Sequence, residues 1–229
     1  MSTKKYELTG ESIATVNKHI LYRIRALRDF SDVKSGDLGG FIESEENLAH
    51  RDNCWVSGDA WVYGSAKVYD KARVWGDARV CNFARVHGLA QVSENTWIFG
   101  NARVGDSARV YGNARVYEKA RVYGDAQVYG RARIYGDACV FVYAHVSGNA
   151  HISGRAKVSG KATISGAVNV SGDVRVYGNA HLLGDAYISG IKLYIRGTTE
   201  IDHGIWAQHL IIDNKYYLIS PTLERIRAE

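Results

Sequence analysis

A hydrophobic residue recurs at every sixth position from Val56 to Ile188, through Val62, Val68, Val74 and onward to Val176 and Leu182, without one slip of register. From Val56 to Leu182 a small residue follows each four places later. It is alanine everywhere from Ala60 to Ala186 except at Thr96, Val168 and Val174. An internal period this strict outranks every other cue to the fold. Side chains alternate along a strand, so in Ala-Arg-Val-Tyr the alanine and valine face one way and the arginine and tyrosine the other. The inward pair is therefore Ala plus Val. Gly-Asn or Gly-Asp pairs such as Gly112-Asn113 and Gly124-Asp125 supply tight backbone for a corner before the next short strand.

Each hexapeptide thus reads as one side of a coil, and coils stack through main-chain hydrogen bonds at roughly 4.8 Å. The fold class is all-β, a parallel β-helix of hexapeptide repeats. Three sides per coil give about seven coils over Val56–Ile188 and a rod on the order of 35 Å long. A two-sided solenoid of twelve residues per coil has the same sequence phase and stays open. Residues 1–55 read as an N-terminal cap, 56–190 as the β-helix and 191–229 as a C-terminal cap. In the first, HILYRIRAL alternates like a strand and DFSDVKSGDLGGFIESEENLAHRDNCWV reads as turns leading into the first coil. In the last, KLYIRGTTEI leaves the repeat, HLIIDNKYYLIS forms a hairpin at Asp213-Asn214, and Pro221 opens a short helical tail.

Composition excludes several classes. The start MSTKKYELTGES has no apolar core of a secretory signal, and no run of about 18 apolar residues exists. A soluble, cytoplasmic protein without membrane contact is expected. Cys54, Cys81 and Cys139 form an odd set with no CxxC spacing, which predicts reduced thiols and no zinc site.

The stretch LYRIRALRDFSDVKSGDLGGFIESEENLAHRDNCWV carries Asp29-Phe30, Asp32-Val33-Lys34, Gly36, Gly39-Gly40, the acidic ESEENL and Asn53-Cys54-Trp55, and runs directly into hexapeptides. It resembles the N-terminal region of the YdcK-type hexapeptide-repeat proteins and of related phage and prophage β-helix proteins. The resemblance implies a left-handed β-helix, a fold usually trimeric in its enzyme members, and an acetyltransferase label that rests on fold analogy. It implies no catalytic residue for this chain.

Hexapeptide acyltransferases need a general base, usually histidine, in a cleft between subunits, often beside a loop extruded from a coil. Here the period leaves no room for an inserted loop. His87, His145, His151 and His181 occupy outward positions scattered over three faces, and His145 and His181 fall two coils apart, near 10 Å, too far to share a metal. We predict no catalytic residue, no metal ligand and no cofactor.

The outward residues say more. With eighteen residues per coil, one face stacks Lys67, Arg85, Arg103, Arg121, Cys139, Lys157 and Arg175, and beside them Tyr69, His87, Gly105, Tyr123, Phe141, Ser159 and Tyr177. Like charges a rung apart repel, so such a column predicts an anion to neutralise it. We take Lys67, Arg85, Arg103, Arg121, Tyr123, Lys157 and Arg175 as candidate ligand-binding residues. Two plainer readings stand beside this one. The column is ordinary strand surface copied by repeat duplication and paired with corner acids Asp59, Asp77, Asp125, Asp137, Asp173 and Asp185, or it is a subunit contact. The stretch ACVFVYAHV replaces a polar corner with Phe141-Val142-Tyr143, an apolar edge and a candidate interface. A net charge of +5 fits an anionic partner.

Three function classes follow. The first is a non-catalytic trimeric solenoid of phage or prophage type that binds a host protein or an anionic nucleotide, in one version sequestering a host immune nucleotide. The second is an acetyl-CoA-dependent acyltransferase. The third is a nucleic-acid binder tracking phosphates along the basic face.

Overall fold

The computed structural model describes residues 4–196 and 200–201. From Trp55 to Ile164 each hexapeptide gives a two-residue strand, Arg103–Val104 for example, and a tight turn, and beyond them Asn169–Tyr177 and Tyr187–Arg196 run longer. Each strand pairs in parallel with the strand eighteen residues away. Val74, Val92, Val110, Val128 and Val146 lie side by side in one ladder, and Arg85, Arg103 and Arg121 in another. This register decides for three sides per coil. The ladder that begins at Trp55–Val56 holds nine strands and makes about eight turns.

The inward residues form one continuous core. Alanines such as Ala114 and Ala126 and β-branched residues such as Val116 and Ile134 are completely buried. Thr96, which stands where alanine is the rule, is also fully buried, and its hydroxyl donates to the Ser93 carbonyl at 2.6 Å. That bond removes the cost of a buried polar group.

One residue per hexapeptide turns the corner with positive φ, and this holds at every sixth position from Gly58 to Gly184. The corners stack so closely that side chains are excluded at many of them. A Cβ on Gly148 would meet the backbone of Gly166 at 2.6 Å. Asp70, Asn82, Glu94, Asp106 and Glu118 take the place of glycine at some corners. Val142 does so with φ 64, a conformation that a β-branched residue adopts only under strain.

Three antiparallel strands form the N-terminal cap: β1 (Tyr6–Ala14), β2 (Ile20–Ala26) and β3 (Leu38–Ile42). The strand expected from HILYRIRAL is β2. The segment expected to be turns contains β3, which joins the solenoid by pairing in parallel with Trp61–Val62. The double glycine explains the fit. A Cβ on Gly39 would fall 2.5 Å from the Ile24 side chain, and one on Gly40 2.6 Å from the Ala60 carbonyl oxygen. Under this cap, Phe30 and Trp55 meet edge to face at 5.3 Å. Tyr6 stacks on His50 at 4.3 Å and donates to the Leu48 carbonyl at 2.7 Å.

Lys5 is fully buried there. Its Nζ donates to the Cys54 carbonyl at 2.7 Å and lies 5.1 Å from the Phe30 ring centroid. Burial pushes the Lys5 ammonium down from its ordinary range and the Cys54 thiol up.

At the other end, KLYIRGTTEI leaves the hexapeptide phase as expected, yet its described residues still add to the ladders. Tyr187–Arg196 pairs with Asn169–Tyr177, and Glu200–Ile201 pairs with His181–Leu182. A register shift between Gly172 and Val174 absorbs the inserted residue. The hexapeptide phase slips here while the ladder continues, with Ile195 buried under Val176. The hairpin at Asp213-Asn214 and the tail from Pro221 lie outside the described residues. Among the described residues no helix is long and apolar enough to cross a membrane.

Candidate anion-binding ladder

Strand register brings the basic column together. Lys67 lies opposite Arg85, Arg85 opposite Arg103, and Arg103 opposite Arg121. Cys139 follows, then Lys157 and Arg175. The cations are all exposed, as period-two alternation requires once the valines point inward. Four of them are consecutive, at roughly 4.8 Å per step.

The corner acids do not neutralise this column. Asp59 accepts from Arg23 at 3.3 Å and Asp173 from Arg155 at 3.4 Å. Asp70, Asp106 and Glu118 sit on left-handed corners and point along the axis. Each accepts the backbone N–H of a glycine one coil on, Gly88, Gly124 and Gly136, at 3.0, 3.0 and 2.8 Å. These carboxylates serve as corner clamps. Among the described residues no acid lies in ion-pair range of Lys67, Arg85, Arg103, Arg121 or Lys157.

The other two faces treat their cations differently. On one, the Arg79 guanidinium sits between Trp61 and Trp97 at 4.3 and 4.9 Å, and Arg115 lies 5.6 Å from Trp97. Ring faces supply the negative potential there. A stack of Phe99, Tyr117 and Tyr135 runs alongside at 4.8 and 5.0 Å. On the remaining face, Gln91 and Gln127 separate Arg73, Arg109 and His145, and Arg73 is bound to Asp32. Only the Lys67 face sets four cations in succession with nothing between them.

Beside the column, Tyr69 stacks on His87 at 5.2 Å and 10°, and Tyr123 on Phe141 at 5.5 Å and 28°. Gly105 interrupts the two pairs and leaves room for the imidazole. A Cβ there would fall 2.4 Å from His87 Cε1. Burial pushes the Tyr123 phenol up, and the Cys139 thiol adds to the shift. Tyr123 therefore stays a neutral donor beside Arg121.

Phe141 is half-buried in its stack, whereas Val142 and Tyr143 are exposed. Tyr143 reaches a corner groove of about 550 Å³, unforeseen from the sequence, whose walls include Lys71, Leu89, Gln91, Arg109 and His145. Two hydrophobic side chains, Leu89 and Tyr143, stand exposed along it. The signal for such a groove lies in how turn residues stack at eighteen-residue spacing, visible only after the number of sides per coil is known.

The coil histidines remain dispersed. His87 is held against Tyr69, and burial together with Arg133 lowers the His151 imidazole. His145 and His181 are separated by Thr163 in their ladder. In the cap, His19 and His50 engage Glu43 and Glu45 at 2.8 and 3.3 Å. Among the described residues no three His, Cys, Asp or Glu side chains converge to hold a metal ion.

The family model of the YdcK β-solenoid repeat matches residues 108–124 and 126–148. Over 60 residues the chain is 38% identical to the uncharacterized acetyltransferase YdcK of Escherichia coli strain K12, a stretch covering 23% of this chain and 18% of that protein. The family-model match falls on what the geometry has already defined, a three-sided coil with Ala and Val inside and a left-handed corner in each hexapeptide. Residues 108–148 thus carry repeats of the YdcK β-solenoid type.

Proposed function

We propose that this protein is a non-catalytic binding solenoid that holds an anionic, phosphate-bearing ligand along the Lys67–Arg121 column. One observation carries the proposal: four consecutive cationic rungs in strand register with no acid in ion-pair range, although acids stand at the neighbouring corners. Unpaired like charges about one strand spacing apart raise the energy of the free protein, and an anion lying along them lowers it. A nucleotide or another oligophosphate is the natural occupant. Sequestration of such a ligand by a phage-type protein is one form of this function, and it rests on the resemblance alone.

The name of the Escherichia coli relative supplies the competing reading, acyl transfer. That chemistry needs a general base within hydrogen-bond reach of the acceptor. Here His87 is engaged by Tyr69 and the coils that carry the histidines have no inserted loop. His145 lines the corner groove, and in the cap His19 lines a smaller pocket with Tyr63 and Phe83 but is engaged by Glu43. We expect no acetyl transfer from acetyl-CoA to amines or sugars, and no loss of function in His145→Ala.

The binding test is titration of inorganic triphosphate into wild type and into Arg103→Glu/Arg121→Glu. Both side chains point outward, so the variant should keep its β-sheet spectrum and melting temperature while losing affinity by at least tenfold. Unchanged affinity would refute the anion site.

A second reading has its own observation. The strained, exposed Val142 beside exposed Tyr143 is what a subunit contact retains. We propose that this edge lies in the interface of a homotrimer. Light scattering on Val142→Asp/Tyr143→Asp should report a lower mass than wild type, and an unchanged mass would refute it.

A further inference from the structure

The rings beside the basic column decide what class of phosphate ligand it takes. Proteins that hold single-stranded nucleic acid offer aromatic faces to the bases, and much of the affinity comes from that stacking. Here Tyr69 with His87, and Tyr123 with Phe141, lie nearly parallel at centroid distances close to one strand spacing. In each pair one face of each ring is spent on its neighbour along the solenoid axis. At Gly105, where an open step would admit a base, the His87 imidazole occupies the space. The column therefore offers an unbroken run of regularly spaced positive charge beside an interrupted row of rings, a geometry that favours phosphates over stacked bases.

Resting on the anion-site reading, we infer that the ligand is a linear, base-free chain of phosphates, an inorganic polyphosphate, laid parallel to the solenoid axis across Lys67, Arg85, Arg103 and Arg121. The chemistry matches the geometry. Such a chain carries charge on every unit and sets about two units against each strand spacing. Its flexible anhydride links let oxygens meet successive guanidinium groups. Three spacings separate Lys67 from Arg121, about 14 Å, so roughly six units fill the consecutive run. Cys139 then breaks the charge before Lys157 resumes it. The Tyr123 phenol, beside the break, can donate to a phosphate oxygen.

The test uses the full-length protein and polyphosphates of graded length, with oligothymidylate of equal phosphate number as the comparison. Affinity should climb at least tenfold from triphosphate to chains of roughly six to eight units and then level off. Oligothymidylate should bind at least tenfold more weakly. In Cys139→Arg, which fills the break, the climb should continue to chains long enough to reach Lys157. If triphosphate binds as tightly as the long chains, the axial chain is wrong while the anion site stands. If oligothymidylate binds as well as polyphosphate, the base-free class is wrong. If Arg103→Glu/Arg121→Glu weakens none of these ligands, the anion site falls with the inference.

Discussion

Val142 shows how much a single backbone position costs in this fold. Every corner of its column turns left-handed, and the residues that do so elsewhere are Asp52, Asp70, Gly88, Asp106, Gly124, Gly160 and Gly178. A non-glycine residue there loses about 1–2 kcal/mol. Val142→Gly should therefore raise the melting temperature by a few degrees in the monomer, read by circular dichroism. If Val142 also supports a subunit contact, the same substitution weakens association. At the inward positions the constraint runs the other way. Ala126 is completely buried in a prism sized for alanine. Ala126→Leu should cost about 1–3 kcal/mol through overpacking, and a melting temperature equal to wild type would show that the inward register is misassigned. The inward residues were legible in the sequence because a period of six leaves one phase for Ala and Val. The corner acids were not. Asp106, for example, accepts from the Gly124 N–H one coil on, a contact that exists only once the coils stack.

At the scale of elements, the N-terminal cap was only partly legible. β2 announces itself by alternation, but β1 has a single fully buried residue, Tyr6, over a mostly exposed face, so its sequence carries no period. β3 hides behind two glycines whose need is tertiary, the approach of Ile24 and Ala60. The last coil was missed for a related reason. One inserted residue near 190 breaks the hexapeptide phase, and only strand pairing shows that the ladder survives it. The cap also has a pH signature. Burial alone raises the Glu43 carboxyl, but hydrogen bonds from His19 and from the Gly64 N–H outweigh it and hold the group below its ordinary value of 4.5. A carboxylate depressed in the folded state contributes stability that is complete above 4.5 and fades as pH falls through the lower folded value. Protection of β1 to β3 against hydrogen exchange, taken relative to intrinsic amide rates, should thus fall below pH 4.5. Glu43→Gln should lower that protection at neutral pH and remove much of its acid dependence, and acid dependence equal to wild type would show that Glu43 is not the group responsible.

At the scale of the whole molecule, a three-sided prism converts a sequence repeat into columns, and the columns differ in how they treat charge. Tryptophan intercalates the arginines of one face, glutamine dilutes those of another, and the Lys67 face leaves four in succession. That contrast was foreshadowed by reading every eighteenth residue, but its force depended on where the acids went, which only the coordinates show. An anion lying on the column releases counterions as it binds. The most direct measurement is therefore the dependence of polyphosphate affinity on salt, by calorimetry across a range of sodium chloride concentrations. Four phosphate contacts give a slope of log affinity against log salt of about −3, and Arg103→Glu/Arg121→Glu should flatten it markedly. A wild-type slope near zero, or one that the double substitution leaves unchanged, would contradict the assignment of the Lys67–Arg121 column as the binding site.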